Sequence, residues 1–293
     1  MNNSSLKFSP FIIGTMRLGA WGEKYTSSKW QSFIEECLSM GLNDFDHADI
    51  YGGYTTESDF GQAFLNKPSL RAELQITTKC GIKMPAEHRP NNRIKSYDSS
   101  PNYIIASVEE SLKNLQTDYL DLLLLHRPDF LMHPESIAAT FESLKKAGKV
   151  LHFGISNFST SQFEMLNSFF PLESHQIEAS IFHLQPFEDG QIDQLFTKHI
   201  QPTAWSPLGG GLNTLEQSPE KLILVINNLC KKYDINTGQL LLAWLLKHPA
   251  RIIPVLGTSK TSRIKDAMAI QNLSIDSEDW YALYSASKGT PLP

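Results

Sequence analysis

Cysteine is scarce in this 293-residue chain: there are three, Cys37, Cys80 and Cys230, far apart. An odd number at such spacing supplies neither a disulfide framework nor a metal-ligand pattern, so a reducing, cytoplasmic setting is expected. Positive charge is not in excess either. The 26 Lys and Arg stand against 31 Asp and Glu, for a net charge of −5, and nothing in that balance calls for a nucleic-acid partner. Long hydrophobic runs are missing. The stretch Leu240 to Leu246 is core-helix length, far short of the roughly 20 residues that cross a bilayer. The opening MNNSSLKFSP has no basic segment followed by an apolar one, so no signal peptide is expected. Also absent is a G-x-G-x-x-G after the first strand. Gly14 and Gly19 are wrongly spaced for it, which argues against a doubly wound dinucleotide fold. What is present is 41% hydrophobic and 19% charged residues, enough for a large core.

Short apolar runs alternate with helical patterns along the whole chain. Strands are expected at Phe11–Thr15, Asn43–Asp46, Leu74–Lys79, Leu120–Leu125, Val150–Ile155, Gln176–Ala179, Pro202–Trp205 and Ile252–Leu256. Runs such as Leu122–Leu125 read as strands buried on both faces, the mark of a parallel sheet. Between them, Ile104, Val108, Leu112 and Leu115 share one helical face, with Ser100 as N-cap and Pro101 at the first helical position. Leu222, Val225, Ile226, Leu229 and Tyr233 form a second such stripe. A helix over Gln239–Lys247 has to stop before Pro249. Eight βα units with no linker between them predict one domain over residues 1–293, an α/β protein of the (β/α)8 TIM-barrel class. Two stretches break the rhythm, Cys80–Ser100 and Ser206–Ser218, and both are expected as long loops bordering the functional face.

Asp46, Tyr51, Lys79 and His126 each fall at or just beyond the end of an expected strand. A phenol, an ammonium, a carboxylate and an imidazole on one rim can make a proton donor. Tyrosine titrates near pH ~10, but a lysine cation lowers that value and a carboxylate holds the lysine in place. Such a group suits protonation of a carbonyl oxygen while hydride reaches its carbon. Alone, a Lys–Asp pair is most often a surface ion pair and a histidine most often a satisfied core residue. It is the order and convergence of the four that carry weight.

The segments FDHADIYG (45–52), TTKCG (77–81) and LLLLHRPD (122–129) are similar to the aldo-keto reductase pattern F-D-T-A-x-x-Y-G, strand-ending Lys, then L-L-H. Gly154-Ile155-Ser156-Asn157-Phe158, Gln176, Trp205-Ser206-Pro207-Leu208 and the stretch from Pro254 to Arg263 match later family segments in order. The chain resembles a bacterial branch carrying HADIYGG and AWSPLGGG segments. That resemblance implies an NAD(P)H-dependent oxidoreductase reducing aldehydes or ketones to alcohols. In it Tyr51 is the general acid, Lys79 depresses its pKa, Asp46 pairs with Lys79, and His126 orients the carbonyl oxygen. Ser156, Asn157 and Gln176 would hold the nicotinamide carboxamide and Trp205 would stack on the ring. Ser206, Leu208 and Gly209 would meet the pyrophosphate, and Thr15 and Met16 would lie beside the cofactor.

At the adenosine end, Gly257 belongs to the matching cofactor segment, and Thr258-Ser259-Lys260-Thr261-Ser262-Arg263 offers hydroxyls and two cations suited to a ribose 2′-phosphate, so NADPH is expected over NADH. Asp266 matches an acidic family position near adenine, but Ala267 stands where the family commonly has Asn. No metal is needed, because the proton comes from Tyr51. The expected partner is a small-molecule carbonyl substrate, and nothing in the sequence demands more than a monomer. The alternative is a nicotinamide-binding sensor or partner subunit with incidental turnover. A barrel enzyme of another class is the third reading, because fold alone does not fix function.

Overall fold

The computed structural model describes residues 6–65, 67–210 and 212–292. Eight strands alternate with helices: β1 (Ile12–Gly14), β2 (Asp44–Asp46), β3 (Gln75–Cys80), β4 (Leu120–Leu125), β5 (Val150–Ser156), β6 (Ser174–Glu178), β7 (Pro202–Trp205) and β8 (Ile253–Leu256). They run in the order β1-β8-β7-β6-β5-β4-β3-β2 as a closed barrel, the (β/α)8 class expected from the sequence. The expected strands agree with the observed ones to within one or two residues.

Two compact units make up the chain: residues 1–176 with 257–261, and residues 177–256 with 262–293. In the first, β1 to β6 pair in parallel, with Gly14 opposite Asp46, Asp46 opposite Thr77, Lys79 opposite Leu124 and Ser156 opposite Gln176. Parallel pairing delivers all these strand ends to one rim. Gly154 on β5 is needed for close approach: a Cβ there would sit 2.3 Å from the Ser174 carbonyl oxygen. The helix Pro101–Asn114 starts as its sequence requires, with Ser100 Oγ accepting the Tyr103 N–H and proline at the first position. Ile104, Val108, Leu112 and Leu115 are buried.

In the second unit β7 and β8 pair in parallel, Ile253 opposite Thr203. The helix Glu220–Tyr233 buries Leu222, Ile226 and Leu229, and Thr237–Leu246 ends three residues before Pro249. Trp244 and Trp280 stack at 4.8 Å, each indole N–H donating to the other's backbone carbonyl. This packs the last helix, Ser277–Lys288, onto Thr237–Leu246.

The two long loops are more ordered than their composition suggests. Cys80–Ser100 contains a hairpin in which Ile82–Lys83 pairs antiparallel with Ser96–Tyr97. Ser206–Ser218 contains a short helix, Leu212–Glu216; its Gly211 lies outside the described residues.

Candidate active site

The turn after β2 brings Asp46 and Tyr51 together. The parallel ladder continues past the strand end, with His47 N–H on the Thr77 carbonyl at 2.8 Å and Asp49 N–H on the Lys79 carbonyl at 3.0 Å. The chain then reverses: Tyr51 N–H bonds back to Ala48, and Gly52 and Gly53 both take positive φ, 63° and 67°. Such angles come without steric penalty only for glycine. The phenol is thereby swung back over β3.

Lys79 is completely enclosed. Its Nζ donates to Asp46 Oδ2 at 2.6 Å, to the His47 carbonyl at 2.8 Å and to Tyr51 Oη at 3.2 Å. Asp46 is fixed from its other side by Gln176 Nε2, 2.8 Å from Oδ1. The ring of His126, just beyond β4, meets that of Tyr51 edge-on at 6.0 Å. All four residues named from the sequence therefore converge within the first unit.

Burial alone would pull the Lys79 ammonium down, but Asp46 and Tyr51 reverse this and leave it above its ordinary value. Burial acts against the lowering of the Tyr51 phenol by Lys79 that the sequence implies. Burial raises it, Lys79 lowers it, and Asp46 raises it again, so the sum lies above the usual tyrosine value. Desolvation outweighs the pull of Lys79 and of the weaker Arg127. The phenol is accordingly a proton holder at neutral pH. His126 is driven well below its ordinary value by burial and by the charges of Lys79, Arg127 and Lys95, so it is neutral. Its Nδ1 is buried and has no hydrogen-bond partner among the described residues. A bare acceptor is tolerated there more readily than an unpaired N–H, which puts the hydrogen on Nε2, ready to donate.

The nicotinamide-end residues named from the sequence also lie at this rim. Ser156 ends β5 and its Oγ accepts Asn157 Nδ2 at 2.8 Å and Arg127 Nη1 at 3.5 Å. Asn157 follows at φ 58°, its N–H on the Gln176 carbonyl at 2.9 Å. Gln176 has its amide nitrogen committed to Asp46, a role that its position on β6 did not reveal. Thr15 follows β1, next to Asp46. Its side chain is fully buried, donating to the Asp46 carbonyl at 2.9 Å and meeting His47 Nδ1 at 3.0 Å. Met16, by contrast, is 38% exposed.

Gly257, Thr258, Ser259 and Lys260 follow β8. A Cβ on Gly257 would meet nothing within 4 Å among the described residues, and the Thr258 hydroxyl accepts the Lys260 N–H at 3.1 Å. Two contacts here had no signal in the sequence. Tyr25 Oη donates to the Ser259 carbonyl at 2.5 Å, and Ser259 Oγ donates to Glu23 at 3.4 Å.

The remaining expected residues belong to the second unit. Trp205 ends β7 and is half-buried, Ser206 takes φ 49°, and Leu208 is half-buried. Gly209 takes φ 60°, and a Cβ there would run into the Phe182 ring at 2.2 Å. Arg263 and Asp266 are exposed on the helix Thr261–Met268.

The aldo/keto reductase family pattern matches residues 10–288. The chain belongs to the aldo/keto reductase family. It is 41% identical to the uncharacterised oxidoreductase YcsN of Bacillus subtilis over 98% of this chain and 97% of that one. It is 39% identical to the oxidoreductase YdhF of Escherichia coli, over 98% and 96%. It is 37% identical to the 6-dehydroglucose reductase of Agrobacterium fabrum, over 98% and 97%. Among solved structures, the thermostable aldo-keto reductase Tm1743 with the inhibitor epalrestat superposes with a TM-score of 0.82 over 98% of both chains at 22% identity, a likeness of fold. This member of the family is thus an enzyme, an NAD(P)H-dependent oxidoreductase acting on small carbonyl compounds. Among its described residues no helix is long and apolar enough to cross a membrane.

Proposed function

We propose that this chain, acting over residues 1–293 as one catalytic domain, reduces aldehydes or ketones to alcohols with NADPH, and that Tyr51 donates the proton. The observation that supports this best is the Lys79 ammonium, buried between Asp46 at 2.6 Å and Tyr51 Oη at 3.2 Å. A buried lysine held by one carboxylate has no structural need of a phenol as well.

The donor set near Tyr51 suits a nicotinamide. The amide and hydroxyl side chains of Ser156, Asn157 and Gln176 offer donors and acceptors for a carboxamide. NADPH, when bound, supplies the hydride. Tyr51 gives its proton to the carbonyl oxygen as negative charge develops there, and Lys79 stabilises the phenolate left behind. The neutral His126 donates through Nε2 to the same oxygen and fixes its direction. Trp205, Ser206, Leu208 and Gly209 would serve the ring and pyrophosphate, and Thr258, Ser259, Lys260 and Arg263 the ribose phosphate. Lys260 and Arg263 are exposed cations, as a 2′-phosphate requires. The similarity to a 6-dehydroglucose reductase makes oxidised sugars the first carbonyl compounds to try.

The test is a fluorescence titration of the purified chain with NADPH and NADH, followed by NADPH oxidation over a carbonyl panel that includes 6-dehydroglucose. The wild type binds NADPH more tightly and turns over at least one member. In a Lys260→Ala/Arg263→Ala double variant, NADPH weakens by about tenfold or more and NADH by little, as expected when charge-assisted phosphate bonds are lost. Equal losses would mean that the 2′-phosphate is held elsewhere. Binding without any turnover would favour a sensor or partner subunit.

A further inference from the structure

Tyr54 sits three residues beyond Tyr51 in the same turn, 8% exposed and held at φ 71°. A bulky residue is strained there, and glycine, present at the two preceding positions, is not. The side chain explains why a tyrosine is kept. Its hydroxyl accepts the Met84 N–H at 2.8 Å and donates to the Met84 carbonyl at 3.3 Å. Asn92 Nδ2 bonds the Met84 carbonyl at 3.1 Å and reaches the Tyr54 hydroxyl at 3.5 Å. The His88 ring meets the Tyr54 ring edge-on at 5.7 Å. The Arg89 guanidinium lies 4.7 Å above it and is itself anchored on Glu110. One phenol therefore ties down the whole stretch from Met84 to Asn92.

That stretch belongs to the hairpin that borders the catalytic group. Ile82 is buried with Ala48, Ile50 and Tyr54, and Tyr51, Met84, Ala86 and Tyr97 pack against this cluster. Lys95, on the same hairpin, is close enough for its charge to act on His126.

We propose that Tyr54 is a positioning residue for the substrate wall: it fixes the hairpin 82–97 beside Tyr51 and so sets how large a carbonyl substituent the site admits. The proposal rests on Tyr51 being the proton donor. A hydroxyl that both donates to and accepts from Met84 holds the wall at one distance, and the apolar residues on that wall then limit the space next to the phenol. Removal of the hydroxyl leaves the packing of the ring but frees the wall to move outward.

The experiment compares wild type, Tyr54→Phe and Asn92→Ala on two probe aldehydes, propanal and 2-naphthaldehyde, with NADPH. Trypsin cleavage after Arg93 and Lys95 is followed in parallel. Asn92→Ala loosens the same tether from the hairpin side and covers the case in which Tyr54→Phe does not fold. In both variants cleavage should accelerate by about fivefold or more, the scale of a lost hydrogen bond. The kcat/KM ratio of 2-naphthaldehyde to propanal should rise by a similar factor through KM, with kcat on propanal and NADPH affinity unchanged. Faster cleavage with an unchanged ratio would overturn the proposal, since the tether would then have no bearing on substrate. Unchanged cleavage would overturn it too, because the hairpin would not depend on Tyr54. A wild type that turns over neither these aldehydes nor any member of the carbonyl panel would overturn the reductase reading, and this proposal with it.

Discussion

At the scale of single residues, the chemistry turns on how burial and nearby charges, Lys79 above all, share control of the Tyr51 phenol. Burial wins, and the phenol lies above its ordinary value. The protonated form is the one that reduction uses, so kcat/KM for reduction should stay flat from about pH 6 to about pH 9. Alcohol oxidation needs the phenolate and should rise with pH over the same span. A reduction profile that falls with a midpoint near neutrality would assign the proton to another group. Lys79→Met tests the cation itself. It leaves the Asp46 carboxylate buried without its partner, a loss of about 3–5 kcal/mol, and removes the group that steadies the phenolate. Carbonyl turnover should drop by about 10²–10⁴-fold, with a lower melting temperature. A variant that melts lower but keeps its turnover would make Lys79 purely structural.

At the scale of elements, the short helix Thr56–Gly61 carries a feature that its sequence hides. Glu57 is buried, its Oε1 accepting the Thr78 hydroxyl at 2.6 Å, and burial raises its carboxyl from 4.5 to about 7. An acid raised on folding binds its proton more tightly in the native state. Native stability from this group is therefore complete below about pH 4.5 and is lost as pH climbs to about 7. His47 and His175, both buried and lowered to about 3, act in the opposite sense, so the Glu57 contribution is isolated by difference. Glu57→Gln should melt higher than wild type, with a gap that widens between pH 5 and pH 8 by up to about 3 kcal/mol. A gap that does not change with pH would show the carboxyl ionised throughout. The strands themselves were legible, because runs such as LDLLLL admit one reading, and so was the Ser100–Pro101 helix start. The hairpin in Cys80–Ser100 was not. Its pairing is two residues long, and its hold comes from Tyr54, a long-range contact that no local pattern encodes.

At the scale of the whole molecule, the family match across residues 10–288 and the closed barrel agree with what the alternation of strands and helices implied. The four residues Asp46, Tyr51, Lys79 and His126 were readable because parallel strands bring their ends to one rim. Less readable were residues whose partners depend on register. Thr15 turned inward to Asp46 and His47, Gln176 was drawn to Asp46, and Glu23 and Tyr25 reached Ser259. The account stands or falls on the phenol as proton donor to a bound carbonyl. The most direct measurement is NADPH oxidation by Tyr51→Phe against wild type, on the best carbonyl of the panel, with NADPH affinity titrated in the same preparations. Affinity should hold while turnover falls by about a hundredfold or more; turnover equal to wild type at equal affinity would contradict it.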